Sequence, residues 1–159
     1  MSKLFHYAFK KEYPGLSQRL TTEAEIICIS GNGKTTVKVN ALWDTGAMGS
    51  AITPTLAQNL NLIPINRVKI NGINNVSMAD VVKISVGLPN MVMVENVNAA
   101  VCSLVKDVDL LIGMDIIAVG DFSLSNGGRK TLFSFAIPPF ENKTDFYNKA
   151  LAVNKRKKL

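Results

Sequence analysis

Residues 41–47 have the sequence ALWDTGA, in which an acidic side chain follows an apolar segment and precedes a glycine. A carboxylate at the end of an apolar strand is costly to bury unless neighbouring groups donate hydrogen bonds to its oxygens. The next two residues supply such donors, because Thr45 carries a hydroxyl and Gly46 allows a sharp turn that brings its N–H close to Asp44. The stretch therefore predicts a strand that ends in a loop built around one carboxylate.

Strand and helix patterns flank this loop on both sides. Residues 24–30 and 35–39 are rich in β-branched and alternating apolar side chains around the turn sequence GNGK, which predicts a β-hairpin. The glycines of this turn lead into a strand and not into a helix, so they do not predict a phosphate-binding loop. Thr53 and Pro54 are typical of a helix start and predict a short helix over residues 55–60.

Further strands follow the predicted helix. Residues 67–70 and 76–86 alternate polar and apolar side chains around a turn cluster, which predicts a second hairpin. Short strands at regular spacing, with one or two short helices, predict an all-β fold closed into a barrel. The remaining predicted elements are strands at residues 91–94, 98–104 and 110–112, a brief helix at residues 113–119, and a hairpin over residues 122–125 and 131–135.

The composition fits a single globular domain. The chain has 159 residues, of which 47% are hydrophobic and 19% are charged, enough for one core and too few for two. The strand pattern places the compact domain at residues 20–136, between an N-terminal basic extension at residues 1–19 and a basic C-terminal tail at residues 137–159. Weak periodicity in the tail favours a helical piece over residues 143–153.

No segment of the sequence is typical of a membrane span or a secretory signal. Its apolar runs stop well short of the roughly 20 residues that a spanning helix needs. Residues 1–15 lack the apolar stretch and the small-residue cleavage site of a signal peptide. We therefore expect a cytoplasmic location and no membrane partner.

The net charge of +6 is carried by the two ends of the chain. Residues 1–19 hold four basic groups against one acidic group, a net +3, and residues 137–159 hold six against two, a net +4. Residues 20–136 hold eight against nine, a net −1. Terminal basic runs are usually solvated tails, so we do not expect a nucleic-acid partner. A functional contact with another acidic partner stays open as an alternative.

Other catalytic and metal-binding patterns do not account for the sequence. The single histidine, His6, lies far along the chain from Ser50 and from both cysteines, which argues against a serine or cysteine nucleophile. The cysteines have no spacing partners of the zinc-site kind. The aspartates at positions 107, 109, 115 and 121 lack the spacing of a calcium loop, and capping or turn roles are predicted for them. We expect no metal and no cofactor.

A second motif lies downstream of the Asp44 loop. Residues 110–115, LLIGMD, place an apolar segment before a glycine, after the predicted helix and the glycine-containing hairpin. In this order and separation, the two motifs resemble those of the retroviral-type, or retropepsin-like, aspartic proteases over about residues 20–136. Residues 111–135 are more specifically similar to the retropepsin-like proteins of bacteria and their mobile elements.

The resemblance implies a fold and an activity. The expected fold is the closed β barrel of the retroviral-type acid proteases, with one catalytic loop and one flap hairpin per chain. The expected activity is that of an aspartic endopeptidase acting on a peptide or protein. Because the chain contains one Asp-Thr-Gly sequence, two catalytic carboxylates require a homodimer that brings Asp44 beside its symmetry mate. A catalytically weak peptide-binding or dimerisation module of the same fold is the alternative.

The resemblance also assigns roles to particular residues. Asp44 is the expected catalytic residue, and Thr45 and Gly46 support its loop. The expected substrate-binding residues are Ala47 and three residues at the tip of the flap, Gly72, Ile73 and Asn74.

Two pairs of residues depart from the pattern of the viral enzymes. Met48 and Gly49 stand where viral members carry two acidic residues, so the substrate specificity of those members does not transfer. Met114 and Asp115 stand where viral enzymes have Arg-Asn. The ion pair that supports the viral dimer is therefore not expected in the same form.

Overall fold

The computed structural model describes residues 5–30, 33–71 and 76–157, and these residues form two β-sheets with short helices between strands. The strands are β1 Tyr7–Glu12, β2 Thr21–Ser30, β3 Gly33–Trp43, β4 Ala51–Ile52, β5 Asn66–Asn71, β6 Val76–Gly87, β7 Met93–Val101, β8 Leu110–Ile112, β9 Asp121–Ser125 and β10 Leu132–Ile137. The helices are α1 Pro54–Asn59, α2 Met114–Ile117 and α3 Phe146–Arg156, and a 3-10 turn covers Gly127–Arg129.

The larger sheet has the strand order β2-β3-β8-β4-β7-β6-β5. In addition, β2 pairs with β6, so β2 contacts both its neighbour β3 and a strand near the opposite end of this order. Most of these pairings are antiparallel, whereas β3 with β8 and β4 with β7 are parallel. The predicted all-β class with short helices is confirmed, and the closed barrel stays a prediction.

The first hairpin shows why alternating sequences become strands here. β2 and β3 pair along their full length, with Ile26 opposite Val37. Along β3, Val39, Ala41 and Trp43 are buried while the residues between them are not, because successive side chains of a strand point to opposite faces. The predicted hairpin is therefore confirmed.

The first helix follows its sequence signals closely. Thr53 is the N-cap, its hydroxyl accepts a hydrogen bond from the Leu56 N–H at 3.3 Å, and Pro54 is the first helical residue. Pro54 suits this position because its missing N–H has no intrahelical partner to lose. The helix predicted over residues 55–60 is thus confirmed, although it begins and ends one residue earlier than predicted.

One strand prediction is wrong because the strand contains a β-bulge. The sequence predicts two separate strands at residues 91–94 and 98–104, but the structure has one strand, β7. Its register against β6 shifts between Ile84 and Val86, and Asn96 on β7 has a positive φ of 58°. The extra residue is a β-bulge, which interrupts the alternation of side chains without ending the strand.

The smaller sheet has the order β1-β10-β9 and includes residues from the N-terminal segment. Residues 7–12, which the strand pattern leaves in the N-terminal extension, form β1 and pair with β10 from Tyr7 opposite Ile137 to Glu12 opposite Leu132. One face of this sheet carries Phe9, Phe133 and Phe135. These rings pack on Trp43 of the larger sheet, with centroid separations of 5.9, 5.1 and 4.8 Å respectively. The two sheets therefore share one aromatic core.

The C-terminal helix α3 differs from the rest of the fold in its burial. None of its residues is buried. Its N-cap is Asp145, whose carboxylate accepts hydrogen bonds from the N–H and the side-chain amide of Asn148. The backbone bond from Asn148 holds the pKa of Asp145 below its usual value. No described helix is long and apolar enough to cross a membrane.

We predict that Gly120→Ala destabilises the junction between α2 and the smaller sheet. A Cβ at Gly120 would lie 2.8 Å from the Phe135 ring and 2.9 Å from the Ile137 side chain. Overpacking of this kind lowers the free energy of unfolding by about 1–3 kcal/mol, which urea denaturation would measure. Gly127→Ala is the control, because nothing lies within 4 Å of its Cβ position. Equal denaturation midpoints for the two variants would contradict the prediction.

Candidate active site

Asp44 lies where two parallel strands end. Trp43 is the last residue of β3 and pairs with Ile112, the last residue of β8. The backbone N–H of Asp44 donates to the Ile112 carbonyl at 3.0 Å, so the pairing extends one residue beyond the strand. Trp43 is itself buried, and its indole N–H donates to the Thr22 hydroxyl at 2.9 Å. The backbone that carries the carboxylate is thereby fixed on both sides.

The loop around the carboxylate has one of the two hydrogen bonds that the sequence predicts, the one from Gly46, whereas the Thr45 hydroxyl does not bond to Asp44 in the single chain. The Gly46 N–H donates to Asp44 Oδ1 at 2.8 Å, and the Ala47 N–H donates to the Asp44 carbonyl at 3.3 Å. A Cβ at Gly46 would approach Asp44 Oδ1 to 3.2 Å, so a larger residue there would crowd the bonded oxygen. Asp44 is half-buried, while Thr45 and Gly46 are exposed. The carboxylate is therefore both held and accessible.

The two sequence motifs are in direct contact. The Met114 N–H donates to the Ala47 carbonyl at 2.8 Å, and the Asp115 N–H donates to the Met48 carbonyl at 3.1 Å. A Cβ at Gly113 would lie 2.6 Å from the backbone of Gly49. Only a glycine at position 113 lets the two loops approach this closely. The glycine of the second motif thus supports the Asp44 loop through the backbone.

A second carboxylate holds the far end of the same loop. Asp115 accepts from the Ser50 N–H at 2.9 Å and from the Ser50 hydroxyl at 2.8 Å. The Ser50 hydroxyl in turn accepts from the Gly113 N–H at 3.2 Å, and Ser50 is only 2% exposed. Asp115 also accepts from the Ile116 N–H in the first turn of α2. The sequence predicts a capping or turn role for Asp115 and misses its bond to Ser50, because no local pattern links residues so far apart along the chain.

The described residues do not form a metal-binding site. Within them, no three His, Cys, Asp or Glu side chains are grouped in a way that could hold a metal ion. The predicted flap residues Gly72, Ile73 and Asn74 lie outside the described part of the chain. Their roles stay predictions, as do the support of the loop by Thr45 and the binding of substrate by Ala47.

The two clefts described on one chain do not include Asp44. Two clefts of about 540 and 860 Å³ lie on the described molecule, and both are lined by residues other than Asp44. The first lies beside β2 and residues 87–93, and the second lies beside the smaller sheet and residues 140–146. In a single chain, the half-buried Asp44 thus lies outside both of these clefts.

This fold, with an Asp-Thr-Gly loop supported by a second apolar-glycine motif, defines the class of retropepsin-like aspartic proteases. A family model described as aspartyl protease matches residues 26–116. Because the match spans more than half of the chain, the protein belongs to this family.

One solved structure agrees with the assignment at the level of the fold. A retropepsin-like aspartic protease from Rickettsia conorii superposes with a TM-score of 0.54 at 19% sequence identity, covering 86% of this chain and 98% of the other. The protease of Simian Foamy Virus (mac), known from a solution structure, gives a TM-score of 0.42 at 22% identity, covering 64% of this chain and 92% of the other. No curated protein sequence matches this chain.

We predict that Asp115→Asn loosens the Asp44 loop. All three bonds to the Asp115 carboxylate come from donors, so an amide NH₂ would face at least one of them. The expected loss is about 1–2 kcal/mol of unfolding free energy, measured by urea denaturation. Asp107→Asn makes the same charge change at an exposed residue whose φ of 65° asparagine tolerates. If the two variants unfold at the same urea concentration, the Ser50 bonds do not stabilise the loop.

Proposed function

We propose that this protein is an aspartic endopeptidase and that Asp44 is its catalytic residue. The observation that carries the proposal is the Asp44 carboxylate, held by the Gly46 N–H at the ends of β3 and β8 and open to solvent on its other side. The family assignment supports a protease of the aspartic type. The substrate class is a peptide or protein, and the proposed location is the cytoplasm.

The proposed active form is a homodimer. Each chain carries one Asp-Thr-Gly sequence, and water activation between carboxylates needs two of them. In a two-fold dimer the same loop of each chain meets its copy, which places two Asp44 side chains together. The accessible position of Asp44 on the single chain supports this arrangement, because a buried carboxylate could not meet its copy.

The proposed reaction uses the two carboxylates as an acid and a base. Two carboxylates a few ångströms apart do not both ionise easily, so they share one proton under mildly acidic conditions. The ionised carboxylate takes a proton from a water molecule, whose oxygen attacks the peptide carbonyl carbon. The protonated carboxylate donates its proton to the carbonyl oxygen. The carboxylate that took the proton from water then gives it to the nitrogen, the C–N bond breaks, and a hydroxyl proton of the intermediate returns to the other carboxylate, so no covalent enzyme intermediate forms.

The remaining predicted residues have supporting roles in this proposal. Thr45 bonds across the dimer to the loop of the second chain, and Ala47 borders the substrate. Gly72, Ile73 and Asn74 form the tip of a flap that covers the bound peptide and excludes water. The hairpin that leads to this tip is β5 with β6, in which Arg67 and Asp80 form a cross-strand ion pair at 3.1 Å. The larger sheet is proposed to close as the barrel of this family.

We predict that Asp44→Asn removes proteolysis while the fold persists. The amide cannot act as the base, so cleavage of a mixed peptide library at mildly acidic pH is expected to fall by at least about 100-fold. Mass spectrometry of the library measures the cleavage and identifies the preferred sites. Asp107→Asn is the charge-matched control and keeps the wild-type activity. Cleavage that survives in Asp44→Asn would contradict the assignment, and a dimeric wild type without cleavage would favour the peptide-binding alternative.

A mixing experiment tests the shared site. When wild type and Asp44→Asn are combined in equal amounts and allowed to exchange subunits, random pairing leaves about a quarter of the dimers with two wild-type chains. We predict that the activity of the mixture is about half that of the same amount of wild type alone. An activity equal to or above that of wild type alone, after native mass spectrometry has shown that mixed dimers form, would mean that one Asp44 is sufficient.

A further inference from the structure

The C-terminal helix α3 separates basic from apolar side chains. Residues 146–157 contain the basic side chains Lys149, Lys155, Arg156 and Lys157, and no acidic side chain. Phe146, Ala150 and Val153 recur at the helical spacing of four and three residues, and Tyr147 and Leu151 form a neighbouring row. Lys149, Lys155 and Arg156 lie outside this apolar arc, whereas Asn154 and the C-cap residue Lys157 lie within it. The helix is thus amphipathic, with an apolar face that two polar residues interrupt.

The described chain leaves the apolar face of this helix largely uncovered, although Phe146 borders the cleft beside the smaller sheet. Every residue of α3 is exposed, including Phe146 at 62% and Tyr147 at 72%. A surface helix of a globular protein usually buries such a face on its own core. The apolar face of α3 therefore buries little surface on this fold.

The same end of the molecule exposes further aromatic rings. Phe5, Tyr7 and Phe140 are exposed as well as the two rings of α3. The segments that carry them touch, because the rings of His6 and Phe140 stack with centroids 4.4 Å apart. The six other aromatic side chains of the chain are buried or half-buried. Exposed aromatic residues are thus confined to the region where the chain ends meet, beside α3.

The dipole of the helix explains only part of this pattern. Lys155 and Arg156 lie in the last turn, where positive charge stabilises a helix. Lys149 lies in the first half of α3, where the helix dipole does not favour a positive charge. The dipole also does not explain why the helix has an apolar face. Basic residues on one face with aromatic and aliphatic residues on the other are typical of helices that lie in a membrane interface.

We propose that α3 docks on a membrane surface that carries anionic lipid headgroups. The helix lies in the plane of the interface, with its basic side chains at the headgroups and Phe146, Tyr147 and Leu151 towards the acyl chains. The expectation of no membrane partner rests on the lack of a spanning segment, and a helix that lies on the surface needs none. The acidic partner left open for the basic tail is, on this proposal, the lipid headgroup.

The apolar face favours a membrane over a nucleic acid. Phosphate backbones attract the basic side chains alone, and base stacking uses aromatic rings arranged along a groove. A membrane interface engages both faces of one isolated helix at once. This proposal does not depend on the proposed proteolytic activity.

Vesicle co-sedimentation of the full chain tests the proposal. We expect the protein to sediment with vesicles of phosphatidylcholine mixed with phosphatidylglycerol and to stay in solution with phosphatidylcholine alone. Replacing Lys149, Lys155, Arg156 and Lys157 by glutamine is expected to weaken the binding by at least about tenfold. Replacing Tyr147 and Leu151 by serine is expected to weaken it as well, which a purely electrostatic contact would not show.

Matched controls keep the test specific. Replacing four exposed lysines of the body, Lys34, Lys38, Lys69 and Lys83, by glutamine makes the same change in net charge away from α3 and is expected to leave binding within about twofold. Because α3 has no buried residue, none of its substitutions is expected to alter the urea denaturation of the body. An equal loss in the body variant would overturn the proposal, as would a failure to bind anionic vesicles. Binding to single-stranded DNA or to a protein through α3, without vesicle binding, would overturn it in favour of that partner.

Discussion

The packing of Trp43 against the aromatic face of the smaller sheet is the interaction on which the geometry of the site depends. Trp43 belongs to the larger sheet, yet its ring lies among Phe9, Phe133 and Phe135 of the smaller one. Its indole N–H is bonded to Thr22, and its backbone pairs with Ile112. The residue that follows is the proposed catalytic aspartate. A change that moved this ring would therefore move the carboxylate as well as separate the two sheets.

Local sequence signals predicted those features that depend on neighbouring residues. The N-cap at Thr53 and the N–H bond from Gly46 to Asp44 each involve residues within three positions of one another. The hairpin of β2 and β3 is similarly local, because alternation and a turn sequence specify it together. The contact between the Asp44 loop and Gly113 was not predicted, because the order of the two motifs along the chain does not say that they touch. Its physical reason, the close approach of Gly113 to Gly49, is visible only in three dimensions.

The features that were missed depend on partners far away in the chain. β1 has a single inward aromatic residue, Phe9, and its pairing with β10 joins residues more than a hundred positions apart. Nothing within residues 7–12 distinguishes them from a solvated basic segment. The bulge at Asn96 breaks the alternation of β7, and sequence periodicity cannot separate a bulge from a strand end. The bonds between Asp115 and Ser50 likewise have no local signature.

The proposals for Asp44 and for α3 are linked by mass action. On the proposed mechanism, a chain with one catalytic carboxylate is active only when two copies meet, so its activity depends on concentration. Binding to a membrane confines the chains to a thin layer, which raises their effective concentration without any new contact between them. A dimer in turn presents two α3 helices to the same surface, and two weak attachments hold more strongly than one. Dimerisation and membrane docking would therefore strengthen each other, although the two sites lie on different elements of the chain. A protease built in this way would be most active where the anionic surface is, and dilution into solution would switch it off.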